Sequence, residues 1–366
     1  MNVFIHSSSG INRSRRKFLG RSSSLAFGLL LLSPIPRLSS VRYGSRRTLV
    51  RRASFTMGTV VEATVYGETR SQCDAAIDLV FEEFDRCDRL MSVFRPESQI
   101  SLLNRNAGKS AVKVDRSIIE ILQDAETMSR RTGGAFDVTV EPLMELWGFR
   151  PDSHPGARPR TLPSDRVIAE TLEAVGHRNI VLDVDQEMVG LLHPKARLDL
   201  GGIAVGYSLD RAAEILRSEG IQHALIMHSG DIVALGSPPE DEAWKVGIAD
   251  PSEPGRPITS VQLRDAALST SGNYQNFVEF DGRRYGHLVD PKTGYPGESV
   301  LSTTVISSRA TDADGLSTAA FLLGPGKTEH VLSECNYVEV ITVAILNGKP
   351  ELLRQRSPTD PLQGVH

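Results

Sequence analysis

A single stretch sets the terms for any fold this chain adopts: Ser307–Gly324, reading SSRATDADGLSTAAFLLG. It opens polar and closes with an apolar run, the pattern of a helix whose first turn meets a ligand and whose body lies in a core. Thr311 or Asp312 can cap it. Asp314, Ser317 and Thr318 then fall at i, i+3 and i+4, so their side chains share one face. A carboxylate and a hydroxyl so placed are hard oxygen ligands suited to a magnesium ion, and the positive end of the helix would add attraction for phosphate oxygens. Read alone, the segment also fits a capped helix whose small polar residues merely face solvent.

Charge narrows the function classes. Residues 1–52 hold eleven Lys or Arg and no Asp or Glu; without them, 30 basic stand against 45 acidic residues, a formal charge of –15. An acidic body is a poor nucleic-acid binder, which needs a basic surface to neutralise phosphates. The basic segment reads as an address over residues 1–40, followed by a basic linker over 41–52. Ser14-Arg15-Arg16-Lys17-Phe18-Leu19 matches the twin-arginine export pattern, and Leu25–Leu32 adds an apolar block too short to span a bilayer permanently. An organellar transit peptide is the rival reading; the Arg pair directly before Phe-Leu favours export, to a periplasm, with membrane contact only through the signal. The first cysteine is Cys73, so a Cys-anchored lipoprotein is not expected. Cys73, Cys87 and Cys335 form no metal motif; the first two sit on what reads as one helix, about 21 Å apart along its axis. They are expected to be core thiols.

Along the rest of the chain, Arg51–Gly67 alternates apolar and polar residues and reads as a strand. Ser71–Ser92 and Asp115–Arg131 read as amphipathic helices, with a short helical piece between them. A double-glycine turn opens Thr132–Gly148, and a Pro- and Arg-rich loop covers 150–165. Two apolar runs in Asn179–Leu200 pair as strands, and Leu198–Gly220 gives strand, glycine turn and helix. Ala224–Gly236, Trp244–Ala249, Ala267–Leu268, Asn276–Phe280 and Val300–Ser307 read as strands, and Tyr337–Leu346 closes the sheet. Strands and helices mix without regular alternation, which predicts an α+β fold over residues 53–350, with 351–366 a tail.

Several constellations can carry chemistry. Asp199-Leu200-Gly201-Gly202 sets a carboxylate beside a glycine pair that lets backbone approach a ligand, or is simply a tight turn. Gly286-His287-Leu288-Val289-Asp290 puts a histidine in a turn-rich loop, where it is either a hydrogen-bonding fixture or a proton carrier. Asp137 reads as a turn-capping carboxylate, Ser229-Gly230-Asp231 and Ser271-Gly272-Asn273 as structural turns, and Phe94 as a ring that can stack on a planar ligand or edge the core. No P-loop, HExxH or serine nucleophile elbow is present.

The order of the blocks is more specific than any one of them. FTMGT, MSVFRPESQIS, TGGAFDVTVEPL, LDLGGIAVGYSLD, SGD, STSGNY, GHLVDPKTGYP and DADGLSTAAFLLG together resemble the ApbE-type FAD:protein FMN transferase family over roughly residues 53–347. The resemblance implies a single large α+β domain, T-fold-related, with a mixed, mainly antiparallel sheet flanked by helices. It implies FAD as substrate, a divalent metal (usually Mg2+), and an acceptor protein, membrane-bound or exported, whose Thr or Ser hydroxyl receives FMN as AMP leaves. Carried over by motif, Asp314 and Thr318 would be metal ligands together with a carbonyl near Gly202. Met57, Phe94, Ala135, Phe136, Asp137, Asp199, Val205, His287, Leu288 and Ser317 would line the FAD site. The acceptor hydroxyl needs a base, for which His287 or Asp199 is expected. This chain departs from the family pattern at Val205, where Lys is most usual, at His228-Ser229-Gly230-Asp231 in place of a GGD turn, at Asn273 for Asp and at Gly286 for Ser. A metal-dependent FAD pyrophosphatase and a non-catalytic flavin-binding protein are the alternatives the same blocks leave open.

Overall fold

Period-two alternation over short runs builds the sheet, and where each run turns fixes its topology. The computed structural model describes residues 2–3, 47–150 and 161–357, apart from 254, 274, 275, 299, 334, 336 and 337. Save for residues 2–3, the export signal read over 1–40 lies outside these, as do 41–46 of the linker and 151–160 of the Pro-rich loop. Among the described residues no helix is long and apolar enough to cross a membrane.

Eight strands form one antiparallel sheet: β2 (Thr48–Thr56), β3 (Thr59–Gly67), β7 (His223–His228), β8 (Asp231–Leu235), β11 (Ala266–Gly272), β14 (Val300–Ser307), β15 (Glu339–Leu346) and β16 (Lys349–Arg356). Their spatial order is β16-β15-β14-β11-β8-β7-β3-β2. Three expectations are corrected here. Arg51–Gly67 is a hairpin, because Met57 and Gly58 both take left-handed φ (47° and 80°) and reverse the chain in two residues. Ala224–Gly236 is likewise a hairpin, turned at Ser229-Gly230, with Ser229 at φ 58°. The sheet also runs past both expected boundaries: β2 starts inside the segment read as linker, and β16 occupies the start of the segment read as tail.

Alternation then sorts the two faces. Val233, Leu235 and Ala267 point to a helical layer, whereas Ile232, Ala234 and Leu268 point the other way. The second face is covered by β9 (Trp244–Ala249) and β10 (Pro257–Leu263), which pair with each other; the two-residue strand β1 (Asn2–Val3) pairs with β9. On the first face lie α1 (Arg70–Met91), α3 (Arg116–Arg131), α6 (Ala204–Ser218) and α7 (Ala310–Leu323). Cys73 and Cys87 are buried on α1 as free thiols, and burial pushes Cys87 up to about 12. The strand expected to run directly into α6 is not formed: Leu198–Leu200 is irregular, held by the Asp199 amide on the Val138 carbonyl at 2.7 Å and by the Asn104 side chain on both backbone groups of Leu198. Smaller elements complete the chain: α2 (Gln99–Arg105), α4 (Glu141–Leu146), α5 (Asp165–Leu172), α8 (Pro325–Ser333), a sheet of β4 (Val112–Lys113), β6 (Met188–Leu191) and β5 (Ile180–Asp183), and the hairpin β12 (Phe277–Phe280) with β13 (Arg283–Gly286).

The stretch singled out first becomes α7, which is buried nearly all round. Its cap comes from elsewhere. Neither Thr311 nor Asp312 serves as the expected N-cap; Arg309 holds that position, and Asp210 of α6 accepts from the amides of Ala310 and Thr311 at 2.8 and 2.9 Å and from the Thr311 hydroxyl at 2.6 Å. A carboxylate already sits at the positive end of this helix, so that end does not draw in phosphate as expected. Asp314 and Thr318 lie one to two turns deeper. The two helices meet at Gly206: a Cβ there would overlap the Ala310 carbonyl and come within 2.8 Å of Asp314 Cβ. Gly206→Ala is therefore expected to cost about 2 kcal/mol or more of stability in a denaturant titration, by forcing α6 and α7 apart.

Candidate active site

Two groups of side chains meet at the sheet end of α6 and α7. The first is built by alternation and helical spacing together. Asp231 shares a face of β8 with Val233, and Ser269 and Ser271 share a face of β11 with Ala267, so all three polar residues look toward α7. From α7 come Asp314, Ser317 and Thr318. Ser317 Oγ lies 3.2 Å from Ser269 Oγ and 2.8 Å from Ser271 Oγ, and Ser271 Oγ lies 3.3 Å from Thr318 Oγ1. A Cβ on Gly202 would sit 3.4 Å from Thr318 Oγ1 and 3.3 Å from the Phe136 ring, so the glycine turn, Thr318 and Phe136 converge. Gly202, Asp314, Thr318 and Ser317 are thus brought together, with Phe136 against them.

The electrostatics of this group are unbalanced. Asp314 accepts the Gly206 amide at 2.9 Å, and burial together with the Asp231 charge raises its pKa well above the carboxylate range. Burial raises Asp231 to about 7, against the pull of the Ser269 hydroxyl and the Thr270 amide. Two carboxylates face one another with amides and hydroxyls as their acting partners, and a hard cation would relieve both. Among the described residues no three His, Cys, Asp or Glu side chains gather into a metal-binding group. A cation here would therefore rely on hydroxyl and carbonyl oxygens beside Asp314. All the donors present are oxygens, which suits magnesium, calcium or manganese rather than a softer metal.

The second group surrounds Arg150. Its guanidinium donates to Glu141 (2.7–3.0 Å) and to Asp199, and lies 5.2 Å from the centre of the Phe94 ring. Burial and the neighbouring Asp199 charge lift Glu141 to about 8, with Arg150 opposing. Phe94 itself is 67% exposed, an open aromatic face at the rim. Asp199 is a poorer fit than His287 to the expected role of base: one oxygen accepts the Gly201 amide at 2.8 Å and the other is held in an ion pair by Arg150, which favours the ionised carboxylate and weakens it as a proton acceptor.

His287 fits that role better. Its Nδ1 lies 3.3 Å from the Asn276 carbonyl, which can only accept; Nδ1 therefore carries the proton and Nε2 keeps its lone pair. Burial lowers its pKa, and the Arg150 charge adds to this against the Asn276 carbonyl and Asp199. The ring packs edge-on to Phe149 at 6.5 Å. The two groups are joined by four residues of chain, since Asp199 touches Arg150 while Gly202 touches Thr318.

The remaining expected residues divide. Leu288 is the next residue after His287, and Val205 packs at the first turn of α6 against the core. Met57, at its hairpin tip, brings Sδ within 3.7 Å of Ser208 Oγ on α6, one turn beyond Val205. Ala135 is buried behind the double-glycine turn, where Lys292 lies across Gly134 at 3.8 Å from a Cβ built there. The Asp137 side chain has internal partners, as the turn-capping reading expects: it accepts from the amide and hydroxyl of Thr139 at 2.9 and 2.6 Å and from the His177 amide at 2.7 Å. It ties its own loop to the turn at His177. Asp231, Ser269, Ser271, Glu141 and Arg150 were not foreseen. Asp231 and Ser271 were visible only as parts of glycine turns, and nothing local marks Arg150 as the partner of Asp199.

Comparison with known proteins follows the same outline. The ApbE family profile matches residues 57–342. A curated FAD:protein FMN transferase from Klebsiella pneumoniae is 32% identical over 283 residues, covering 76% of this chain and 80% of the relative. Another from Treponema pallidum is 32% identical over 308 residues, covering 80% and 83%. The crystal structure of the ApbE protein of Thermotoga maritima superposes with a TM-score of 0.75 at 30% identity, over 85% of this chain and 97% of that one.

If the carboxylate pair awaits a cation, Asp314→Asn should raise the stability of the metal-free chain by about 1 kcal/mol or more, because it removes a buried like charge and keeps the Gly206 acceptor. In thermal melts Mg2+ should raise the parent's Tm and leave the variant's unmoved.

Proposed function

The chain belongs to the ApbE family, and from that premise we propose that it is a FAD:protein FMN transferase whose reaction runs at the meeting of α6, α7 and β11. The observation that carries this reading is the convergence of Asp314, Thr318 and the Gly202 turn on one oxygen-rich spot, joined through the Asp199–Gly202 segment to the group that holds His287. The substrate is FAD, and the acceptor is a protein presenting a Thr or Ser hydroxyl, which we take to be exported or membrane-bound. The basic, apolar-centred segment at residues 1–40 would direct the chain itself to the same side by the twin-arginine route.

Phosphoryl transfer calls for charge neutralisation and alignment more than for a protein nucleophile. Mg2+ held by Asp314, Thr318 and the Gly202 carbonyl would supply Lewis-acid neutralisation at the pyrophosphate. Ser271 offers a hydroxyl to the same oxygens beside Ser317, whose proton goes to the Asp314 carbonyl, and Phe94 offers an exposed apolar face to a ring of FAD. His287 Nε2 takes the proton of the acceptor hydroxyl as its oxygen bonds to the FMN phosphorus. The bond from that phosphorus to the bridging oxygen breaks, and AMP leaves with the electron pair. Arg150 stays clamped by Glu141 and Asp199 and holds the Asp199–Gly202 turn in place.

Incubating the chain with FAD, Mg2+ and a Thr-bearing acceptor domain tests the reading. Covalent FMN on the acceptor is the expected result; free FMN with AMP would make the protein a pyrophosphatase, and unchanged FAD would leave it a binder. The pH profile carries a second expectation. Burial holds the His287 pKa below its ordinary 6.5, so the base form prevails at neutral pH and the rate falls only as pH drops below that value. His287→Ala should lose about 10²- to 10⁴-fold in rate together with this acid limb.

A further inference from the structure

The loop that follows His287 is closed at its neck by backbone pairing and one side chain. Leu288 and Gly297 face each other there, the Gly297 amide donating to the Leu288 carbonyl at 2.9 Å. Asn273 continues that ladder: its Oδ1 accepts the Leu288 amide at 3.2 Å, and its Nδ2 donates to the Gly297 carbonyl at 2.9 Å. A primary amide has the donor and acceptor of a peptide group, so Asn273 stands in for a third strand that is absent at this point.

Gly286 makes the room for it. A Cβ built on Gly286 would fall inside the Asn273 amide group, overlapping its carbon, nitrogen and oxygen. Any other residue at 286 therefore excludes Asn273 from the position in which it bridges the neck. His287 is the next residue, and both its amide and its Nδ1 meet the Asn276 carbonyl, at 3.2 and 3.3 Å. One short segment thus grips the loop on both sides of the imidazole: Asn276 holds His287 itself, and Asn273 holds the peptide that follows.

We propose that Asn273 is a positioning residue that fixes the His287 imidazole for taking the proton of the acceptor hydroxyl, and that Asn273 and Gly286 act as one size-matched pair. The inference rests on the reading of His287 as the base and deepens it. The two departures noted in the sequence, Asn for Asp and Gly for Ser, then become a single event. An Asp at 273 accepts the Leu288 amide but has no proton for the Gly297 carbonyl, whereas a Ser at 286 brings a hydroxyl donor to that carboxylate. This chain does both jobs with the amide and gives up the side chain at 286.

The test uses the full chain in four forms: Asn273→Asp, Gly286→Ser, the double variant, and Asn273→Ala, which removes the amide without adding bulk. AMP release from FAD, with Mg2+ and a Thr-bearing acceptor domain, gives kcat and the KM for FAD; hydrogen exchange reads the Leu288 amide. Each single change should lower kcat about tenfold or more, as a small misplacement of a reacting group does. KM for FAD should shift by less than about threefold, Leu288 exchange should quicken, and the double variant should recover most of both. A double variant carrying the product of the two single losses would overturn the pairing, and single variants with parental kcat would overturn the positioning role. His287→Ala separates the two claims. Parental kcat in that variant removes the base, while the pairing is still judged by whether Leu288 exchange, quickened in the singles, is restored in the double.

Discussion

Everything at this site depends on how closely α6 and α7 approach. With no side chain at Gly206, the α6 backbone comes near enough for its amide to donate to Asp314, and the same crossing lets Asp210 cap the start of α7. The consequence is a carboxylate buried against a second carboxylate, Asp231, an arrangement that costs folding energy unless something positive completes it. Small residues at 269, 271, 317 and 318 surround Asp314 with mutually bonded hydroxyls. On the function proposed above, this is where a cation would meet the FAD pyrophosphate.

A separate apolar cluster supports the other half. Trp147, Phe149, Ile168, Phe280, Tyr285 and Val289 pack together, and the Trp147 indole donates to the Gly294 carbonyl at 2.8 Å. This small core ties the β12–β13 hairpin and the loop after it to α4 and α5. His287 therefore rides on a braced platform. The Asp199–Gly202 segment links this platform to α6 and α7, with Arg150 securing one end and Thr318 marking the other.

Elements with a strong period were legible in the sequence: α1, α3, α6, α7, β9 and β14 appear close to where alternation and helical spacing put them. So was the likeness to ApbE proteins, because eight blocks in order carry more information than their separate chemistry. Two-residue reversals were not legible. Met57-Gly58 and Ser229-Gly230 interrupt runs whose apolar alternation continues unbroken through the turn, so each hairpin read as one long strand. Long-range partners were also invisible. Asp210 caps α7 from 100 residues away, and Arg150 occupies Asp199 from 49. Asp137 and Asp199 looked available to a ligand because sequence lists functional groups without saying which are already paired. Asp231 erred the other way: its turn masked a carboxylate aimed into the site.

The central claim is that the oxygen-rich spot between α6, α7 and β11 is where a cation meets the FAD pyrophosphate. Anomalous diffraction from crystals grown with Mn2+ and FAD tests it most directly. The account predicts a peak coordinated by Asp314, the Thr318 hydroxyl and the Gly202 carbonyl, with phosphate oxygens completing the shell. A peak at Glu141 and Asp199 instead, or FAD bound with its pyrophosphate away from Asp314, would contradict it.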